Sequence, residues 1–348
     1  MSGADDPRPD DQRVAAEDGP VDEFDWIERC LRPLASGSPE ALGLLDDAAV
    51  ISGRPGFDLV VTKDAIVEGV HFLTGDPLDL VARKLLRVNL SDLAAKGAEP
   101  YGYFLAIAWP ARCGWASRKR FVDGLRIDQK QFGLGLFGGD TVSTPGPLSA
   151  SATLLGWVPA AGMARRDRAR VGDIVLVTGS IGDGGLGLAA ARGEAVGLSS
   201  TDQAWLKGRY QLPHPRLGLG QALRASMAAS ADVSDGLIAD AGRIAAASGV
   251  RVALDLDRMP LSAAAAAWLK LQPDPIAARL ALAASGDDYE IVCTAPRPAV
   301  APLVAAAQAL GYGMSEIGVV VAGSGVGVSG GGRELAVTNS GWRHGRRP

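Results

Sequence analysis

Cysteine and histidine are both scarce in this 348-residue chain, at three of each. Cys30, Cys113 and Cys293 lie far apart, an odd and sparse set that excludes a disulfide framework or a thiolate zinc site and fits a reducing cytoplasm. His71, His214 and His344 cannot furnish a histidine-rich zinc site. Aromatic residues make up 5% and the net charge is -4, with no basic stripe interleaved with aromatics, so a nucleic-acid partner is excluded. Long apolar runs are missing too. The longest uncharged stretch, residues 141–164, is broken by Pro145, Pro147 and Pro159 and carries several hydroxyl side chains, which excludes a membrane span. Residues 1–20 are rich in Asp, Arg and Pro without an apolar core, and read as a disordered lead-in, not a signal peptide. No G-x-x-x-x-G-K-[ST] is present, which removes a Walker-type phosphate loop.

What remains is a composition with 47% hydrophobic and 21% charged residues, enough for two globular domains of ordinary size. In the first half, apolar runs at 59–61, 101–109, 133–137 and 148–158 read as strands, and 24–34, Leu78–Lys96 and 116–130 as helices. Residues 42–51 read as a turn entering a strand, and the strand at 59–61 is expected to stop at Thr62. The arginines between 165 and 173 mark a boundary, giving a domain over 21–160 and another over 161–348. The second half is expected to hold strands at Ile174–Thr178, 250–256, 290–294 and a final one at 317–321. Helices are expected near 184–191, 236–247, 263–271 and 302–310. The class is α/β or α+β, in two halves.

Acidic residues recur in Gly/Ser/Thr-rich stretches after the apolar runs: Asp46-Asp47, Thr62-Lys63-Asp64, Gly138-Gly139-Asp140, Asp232-Val233-Ser234-Asp235 and Gly286-Asp287-Asp288-Tyr289-Glu290. Taken singly, each is more simply a turn or a helix cap. Five in one chain suit more than one hard cation bridged by a polyphosphate, because Mg²⁺ takes only one or two protein carboxylates per ion. Asp92 shares a helical stripe with Val81, Leu85 and Val88, so it either pairs with Lys84 or Arg87 or serves as an inward metal ligand. The turn from Thr178 to Gly187 satisfies G-x-G-x-x-G, but the stretch after it is not strand-like. A dinucleotide fold is thereby ruled out, leaving a tight structural turn or a phosphate-contacting loop.

The order of these motifs carries a resemblance. Asn89-Leu90-Ser91-Asp92-Leu93-Ala94-Ala95 and the terminal Gly341-Trp342-Arg343-His344 join the acidic stretches in a chain that, from about Phe24 onward, resembles the thiamine-monophosphate kinase family. That family lies within the aminoimidazole-ribotide-synthetase-like superfamily of ATP-binding proteins. The resemblance implies a two-domain synthetase-like fold, with an N-terminal sheet domain that pairs in a homodimer and a C-terminal α/β domain. It implies transfer of the γ-phosphoryl of ATP to thiamine monophosphate, with several Mg²⁺ ions. By the same resemblance Asp47, Thr62, Asp64, Asp92, Asp140, Asp232 and Asp235 match metal ligands. Gly139, Asp140, Arg166 and Ser234 match nucleotide contacts, and His71, Asp287 and Trp342 match substrate contacts. Trp342 offers either a flat face to a cationic thiazolium or a dock for the chain end. No general base is implied, since the acceptor is already an anionic phosphate oxygen.

Three positions depart from the family: Lys63 where a hydroxyl is usual, Asp287 where Glu is usual, and Gly345 where Phe is usual. The alternatives are another ATP-using enzyme of the superfamily and a catalytically silent nucleotide-binding homologue. A selenophosphate synthetase would place a reactive cysteine near a Gly-rich N-terminus, whereas Cys30 falls on a predicted helix.

Overall fold

Val81, Leu85 and Val88 line one stripe of helix α1 (Leu78–Lys96), and all three are buried in the computed structural model. The structure describes residues 21–195, 197–226 and 229–342. The lead-in at 1–20 and His344 lie outside the described residues. The chain divides into two compact units. One takes Met1–Gly53, Lys63–Leu86 and Pro100–Leu155; the other takes Arg54–Thr62, Arg87–Glu99 and Gly156–Pro348.

In the first unit the chain is helical from Glu23–Trp26 through a π-helical stretch, Ile27–Leu31, to Arg32–Ala35. Trp26 packs edge-on to Trp109 and Trp115 with ring centroids 5.9 and 6.1 Å away, and Trp109 meets Phe121 at 5.5 Å, in the geometry aromatic quadrupoles favour. A four-stranded sheet is formed by β1 (Phe57–Val67), β2 (Glu99–Pro110), β3 (Gly135–Thr144) and β4 (Ser149–Pro159), in the order β1-β4-β2-β3. Helix α2 (Trp115–Phe132) joins the parallel pair β2 and β3 and is closed by Gly133 in the left-handed region.

Three sequence expectations are corrected here. Residues 42–51 form no strand: Leu42, Gly43 and Leu44 all have positive φ, which twists the chain out of an extended path. Strand β1 does not stop at Thr62 but runs on to Val67, because Val60 and Ile66 are buried an even number of residues apart and keep the alternation going. Gly138-Gly139-Asp140 is not a bend but part of β3. Gly139 pairs with Leu105 beside a register shift at Tyr103/Phe104, and a Cβ there would fall 1.8 Å from the Leu105 carbonyl oxygen. Glycine lets the backbones pass where any side chain would separate them.

The second unit is built on a seven-stranded sheet. Its strands are β5 (Ile174–Thr178), β6 (Ala229–Asp232), β7 (Arg251–Asp255), β8 (Ile291–Ala295), β9 (Met314–Val321), β10 (Gly325–Gly330) and β11 (Arg333–Glu334). They lie in the order β11-β10-β7-β9-β5-β8-β6, so β9 is not the final strand. Every residue of β5 is buried. Val175 and Val177 enter one core while Ile174 and Leu176 enter the other, so apolar layers cover both faces. Helices α3 (Asp183–Ala191), α4 (Ser200–Gln211), α5 (Gly220–Ala225), α6 (Leu237–Ser248), α7 (Ala263–Lys270), α8 (Pro275–Ala283) and α9 (Arg297–Ala309) accompany it. Ala94 and Ala95, near the end of α1, belong to the second of these cores together with α5 and α9. Gly97 and Gly220 pack backbone to backbone, a Cβ on Gly97 meeting the Gly220 Cα at 2.8 Å. All three cysteines are buried free thiols.

Candidate active site

The last turns of α1 belong to the second unit and carry Ser91, Asp92 and Lys96, each hydrogen-bonded to a residue distant in sequence. Asp92 is half-buried and accepts a hydrogen bond from Thr62 Oγ1 at 2.5 Å, while Lys84 and Arg87 donate to the carbonyls of His71 and Pro213. One residue before it, Ser91 Oγ donates to Asp232 Oδ2 at 3.0 Å, with both residues buried. One turn later, Lys96 Nζ donates to the Ser230 carbonyl at 2.7 Å. Burial, and next the Arg166 guanidinium, push the Lys96 ammonium down to about 8, against the pull of Asp232 and Asp92. Arg166 Nε is buried without a hydrogen-bond partner, as is Ser230 Oγ. A buried donor left unmade is costly, so the Arg166 group is suited to an anionic oxygen.

The loop after β6 is shaped from within α6. Asp240, fully buried, accepts the backbone N–H groups of Ser234 and Asp235 at 3.0 Å each through Oδ2, while Arg243 bonds its Oδ1 and also the Asp235 carboxylate. Burial lifts the Asp240 carboxyl to about 6, against the Arg243 charge and the backbone donor. Ser234 and Asp235 are therefore not helix caps; the N-cap of α6 is Gly236, with no side-chain cap bond. Two further segments lie on this loop. Asp287 and Tyr289 donate their N–H groups to the carbonyls of Ser234 (2.9 Å) and Val233 (2.8 Å), and Trp342 donates to that of Asp235 (2.9 Å). Asp287 and Tyr289 both hold positive φ, 67° and 51°, and the Tyr289 hydroxyl donates to Asp287 Oδ1 at 3.2 Å. Non-glycine residues in this region are strained and persist where surrounding structure fixes them. Trp342 is 46% exposed.

Asp288 answers the question of the glycine-rich turn. Its carboxylate, 1% exposed, accepts the N–H groups of Gly182 at 2.8 Å and Gly184 at 2.9 Å. Burial raises its pKa well above the ordinary carboxylate value despite these two donors. The turn is a structural clasp, and those two amides are already taken. Beside it, Glu290 is fully buried and bonded by Thr178, Arg209 and Arg216.

The remaining residues lie in the first unit. Asp47 is exposed and donates its N–H to Asp46 Oδ1 at 2.8 Å. Asp64 is half-buried and, two residues from Thr62, shares a face of β1 with it; Lys63 points to the opposite face. His71 Nδ1 accepts the Val67 N–H at 3.1 Å. Gly139 and Asp140 are exposed on β3. Among the described residues, no three His, Cys, Asp or Glu side chains gather into a metal-holding group. The donors are carboxylates and hydroxyls, the hard oxygens that Mg²⁺ uses one or two at a time alongside water and phosphate. The set fits open magnesium sites, not a closed cage.

Sequence reasoning missed Lys96, Asp240, Arg243 and the pairing of Ser91 with Asp232. The available signals were spacing alone: Lys96 follows Asp92 by one turn, and Asp240 precedes Arg243 by three residues.

Residues 45–158 match the family AIR synthase related protein, N-terminal domain, and residues 170–331 match AIR synthase related protein, C-terminal domain. Over 337 residues, 97% of this chain and 94% of the relative, the sequence is 54% identical to the thiamine-monophosphate kinase of Caulobacter vibrioides. The crystal structure of thiamine-monophosphate kinase from Stenotrophomonas maltophilia K279a superposes with a TM-score of 0.78 at 37% identity, covering 89% of this chain and 97% of that one. The structure of AaThiL complexed with AMPPCP and TMP superposes at 0.73 with 28% identity, covering 94% and 100%. The motif order, the two-domain match and the near full-length identity agree: this chain belongs to the thiamine-monophosphate kinase family.

Proposed function

We propose that the chain transfers the γ-phosphoryl group of ATP to thiamine monophosphate, forming thiamine diphosphate and ADP. The observation that carries this is the polar end of α1, where Thr62–Asp92 and Ser91–Asp232 set hard oxygen donors near Lys96 and the unsatisfied Arg166 donor. An oxygen of the substrate phosphate forms the new P–O bond as the bond from the γ-phosphorus to the ADP oxygen breaks. The attacking oxygen is already anionic, so no side chain has to remove a proton, and the protein's work is positioning and charge neutralisation. Arg166 and Ser234, with Gly139 and Asp140, receive the nucleotide; a guanidinium suits this because it can fork onto phosphate. His71, Asp287 and Trp342 receive the thiamine ester. Magnesium ions held by Asp47, Thr62, Asp64, Asp92, Asp140, Asp232 and Asp235 would offset the repulsion between two polyanions.

The family resemblance supports a homodimer paired through the first unit's sheet, which sedimentation velocity tests. The buried free thiols support a cytoplasmic location; among the described residues no helix is long and apolar enough to cross a membrane. The deciding assay incubates the purified chain with ATP, thiamine monophosphate and magnesium and resolves the thiamine esters. No thiamine diphosphate above background refutes the reading, and ATP binding without turnover favours a silent nucleotide-binding homologue.

A further inference from the structure

We propose that Asp240 and Arg243 are positioning residues that hold the Asp235 backbone and carboxylate ready for a divalent cation, an inference that rests on the kinase reading above. The loop they act on has little of its own to fix it. Gly236 sits at φ 122° and offers no cap, and Ser-Asp-Gly is a freely varying sequence in the absence of restraint. Asp240 removes that freedom from inside the following helix. Its Oδ2 takes the two consecutive N–H groups of Ser234 and Asp235, which fixes the peptide leading into Asp235. Its Oδ1 anchors Arg243, one turn on. Arg243 then reaches Asp235 Oδ2 with its second terminal nitrogen, which restrains the carboxylate rotamer and leaves Oδ1 for the cation.

The charge arithmetic favours this arrangement. A lone arginine beside a cation ligand would repel the cation. Here the guanidinium is shared with the fully buried Asp240, so Arg243 and Asp240 together add no net charge and contribute orientation alone. The side chain of Asp235 stays 25% exposed and that of Arg243 42%, so the carboxylate is oriented without being sealed. Outer partners that orient a ligand typically govern metal affinity by about 10–100-fold.

The test uses the full-length chain with Arg243→Gln, Arg243→Lys and Asp240→Asn. Mn²⁺ binding is titrated by electron paramagnetic resonance in the presence of AMPPCP, and thiamine diphosphate formation is followed against Mg²⁺ concentration. In Arg243→Gln and Asp240→Asn the half-saturating cation concentration is expected to rise about tenfold in both measurements. KM for thiamine monophosphate is expected to stay within about twofold, because the orienting partner acts on the cation alone. Arg243→Lys, which cannot fork onto two carboxylates at once, is expected to fall between. An unchanged or lowered half-saturating cation in a folded Arg243→Gln overturns the inference, the lowered value meaning that arginine competes with the cation. Mn²⁺ binding is read without turnover. Weakened binding in the variants of a chain that forms no thiamine diphosphate would therefore sustain the clamp while refuting the kinase reading.

Discussion

Replacing Glu290 with glutamine removes one oxygen from a carboxylate of the second unit that accepts four hydrogen bonds. Glu290 is fully buried and accepts from Thr178 Oγ1 at 2.8 Å, Arg209 Nη2 at 3.1 Å, and Arg216 Nε and Nη2 at 2.6 and 2.5 Å. The Arg209 and Arg216 side chains are 9% and 14% exposed, so neither guanidinium can turn to bulk water for compensation. Glutamine has a single acceptor oxygen, and its NH₂ group would face an arginine fork. The bidentate bond to Arg216 is lost, and two buried cations lose their counter-charge. Breaking a buried ion pair on one side costs about 3–5 kcal/mol. At about 2–4 °C per kcal/mol for a unit of this size, Glu290→Gln should lower the melting temperature by about 6–20 °C.

Urea unfolding followed by tryptophan fluorescence measures the same loss as a shift in midpoint at unchanged slope. A matched triple replacement, Glu290→Met with Arg209→Met and Arg216→Met, removes all the charge together. It should recover stability to within about 1–2 kcal/mol of wild type, because the cost lies in the unpaired charge and not in the missing pair. If Glu290→Gln unfolds at the wild-type midpoint, the triad is solvated and the reasoning fails.

Asp92→Asn should lower kcat by about 100-fold or more at saturating magnesium, since a preorganised charge at the transferring group is removed. Its circular dichroism and melting temperature should stay near wild type because Asp92 is half-exposed; a near-normal rate would remove it from the ligand set. Gly139→Ala should cost about 1–3 kcal/mol or more by forcing β3 off the Leu105 carbonyl, read as a lowered melting temperature; an unchanged value would mean the strands separate freely. Lys96 supplies a pH signature. Its ammonium is held at about 8 in the folded chain against an ordinary 10.5, so the unfolded chain binds that proton more tightly. The resulting destabilisation is present in full below pH 8 and fades as pH rises to 10.5. The stability of the wild type relative to Lys96→Met should accordingly rise across that window, by about 2 kcal/mol between urea midpoints taken at pH 7.5 and 10. A constant difference would place Lys96 in solvent.

Segments with strong apolar period and a glycine stop were legible from sequence. Strand β5 and helix α1 fall where the pattern places them, and α6, expected near 236–247, runs Leu237–Ser248 and is capped by Gly249. Strand β6 escaped because Ala229-Ser230-Ala231-Asp232 has small side chains and no β-branched residue, and β10 because its glycines read as loop. Helix α4 escaped because its buried face is short and its sequence polar. Thr62-Lys63-Asp64 and Gly138-Gly139-Asp140 read as strand ends because charge and glycine usually mark loops, yet both lie inside strands where pairing with neighbours overrides propensity. The aspartates themselves were legible as candidates. What orients them was not: Ser91 reaches Asp232 across 141 residues and Lys96 reaches Ser230 across 134, separations that no local pattern encodes.

The end of α1 has a mechanical consequence. Ala94 and Ala95 are built into the core beneath the seven-stranded sheet, and Ser91, Asp92 and Lys96 ride on the same two turns. That rod cannot swing without opening the core, so it acts as the fixed datum of the site. The loops at 232–236 and 286–289 have no such rod beneath them and are fixed by hydrogen bonds, from the N–H groups of Ser234 and Asp235 to the Asp240 carboxylate and from the N–H groups of Asp287 and Tyr289 to the carbonyls of Ser234 and Val233. Amide exchange should grade accordingly, slowest along the end of α1 and faster at Asp235 and Asp287.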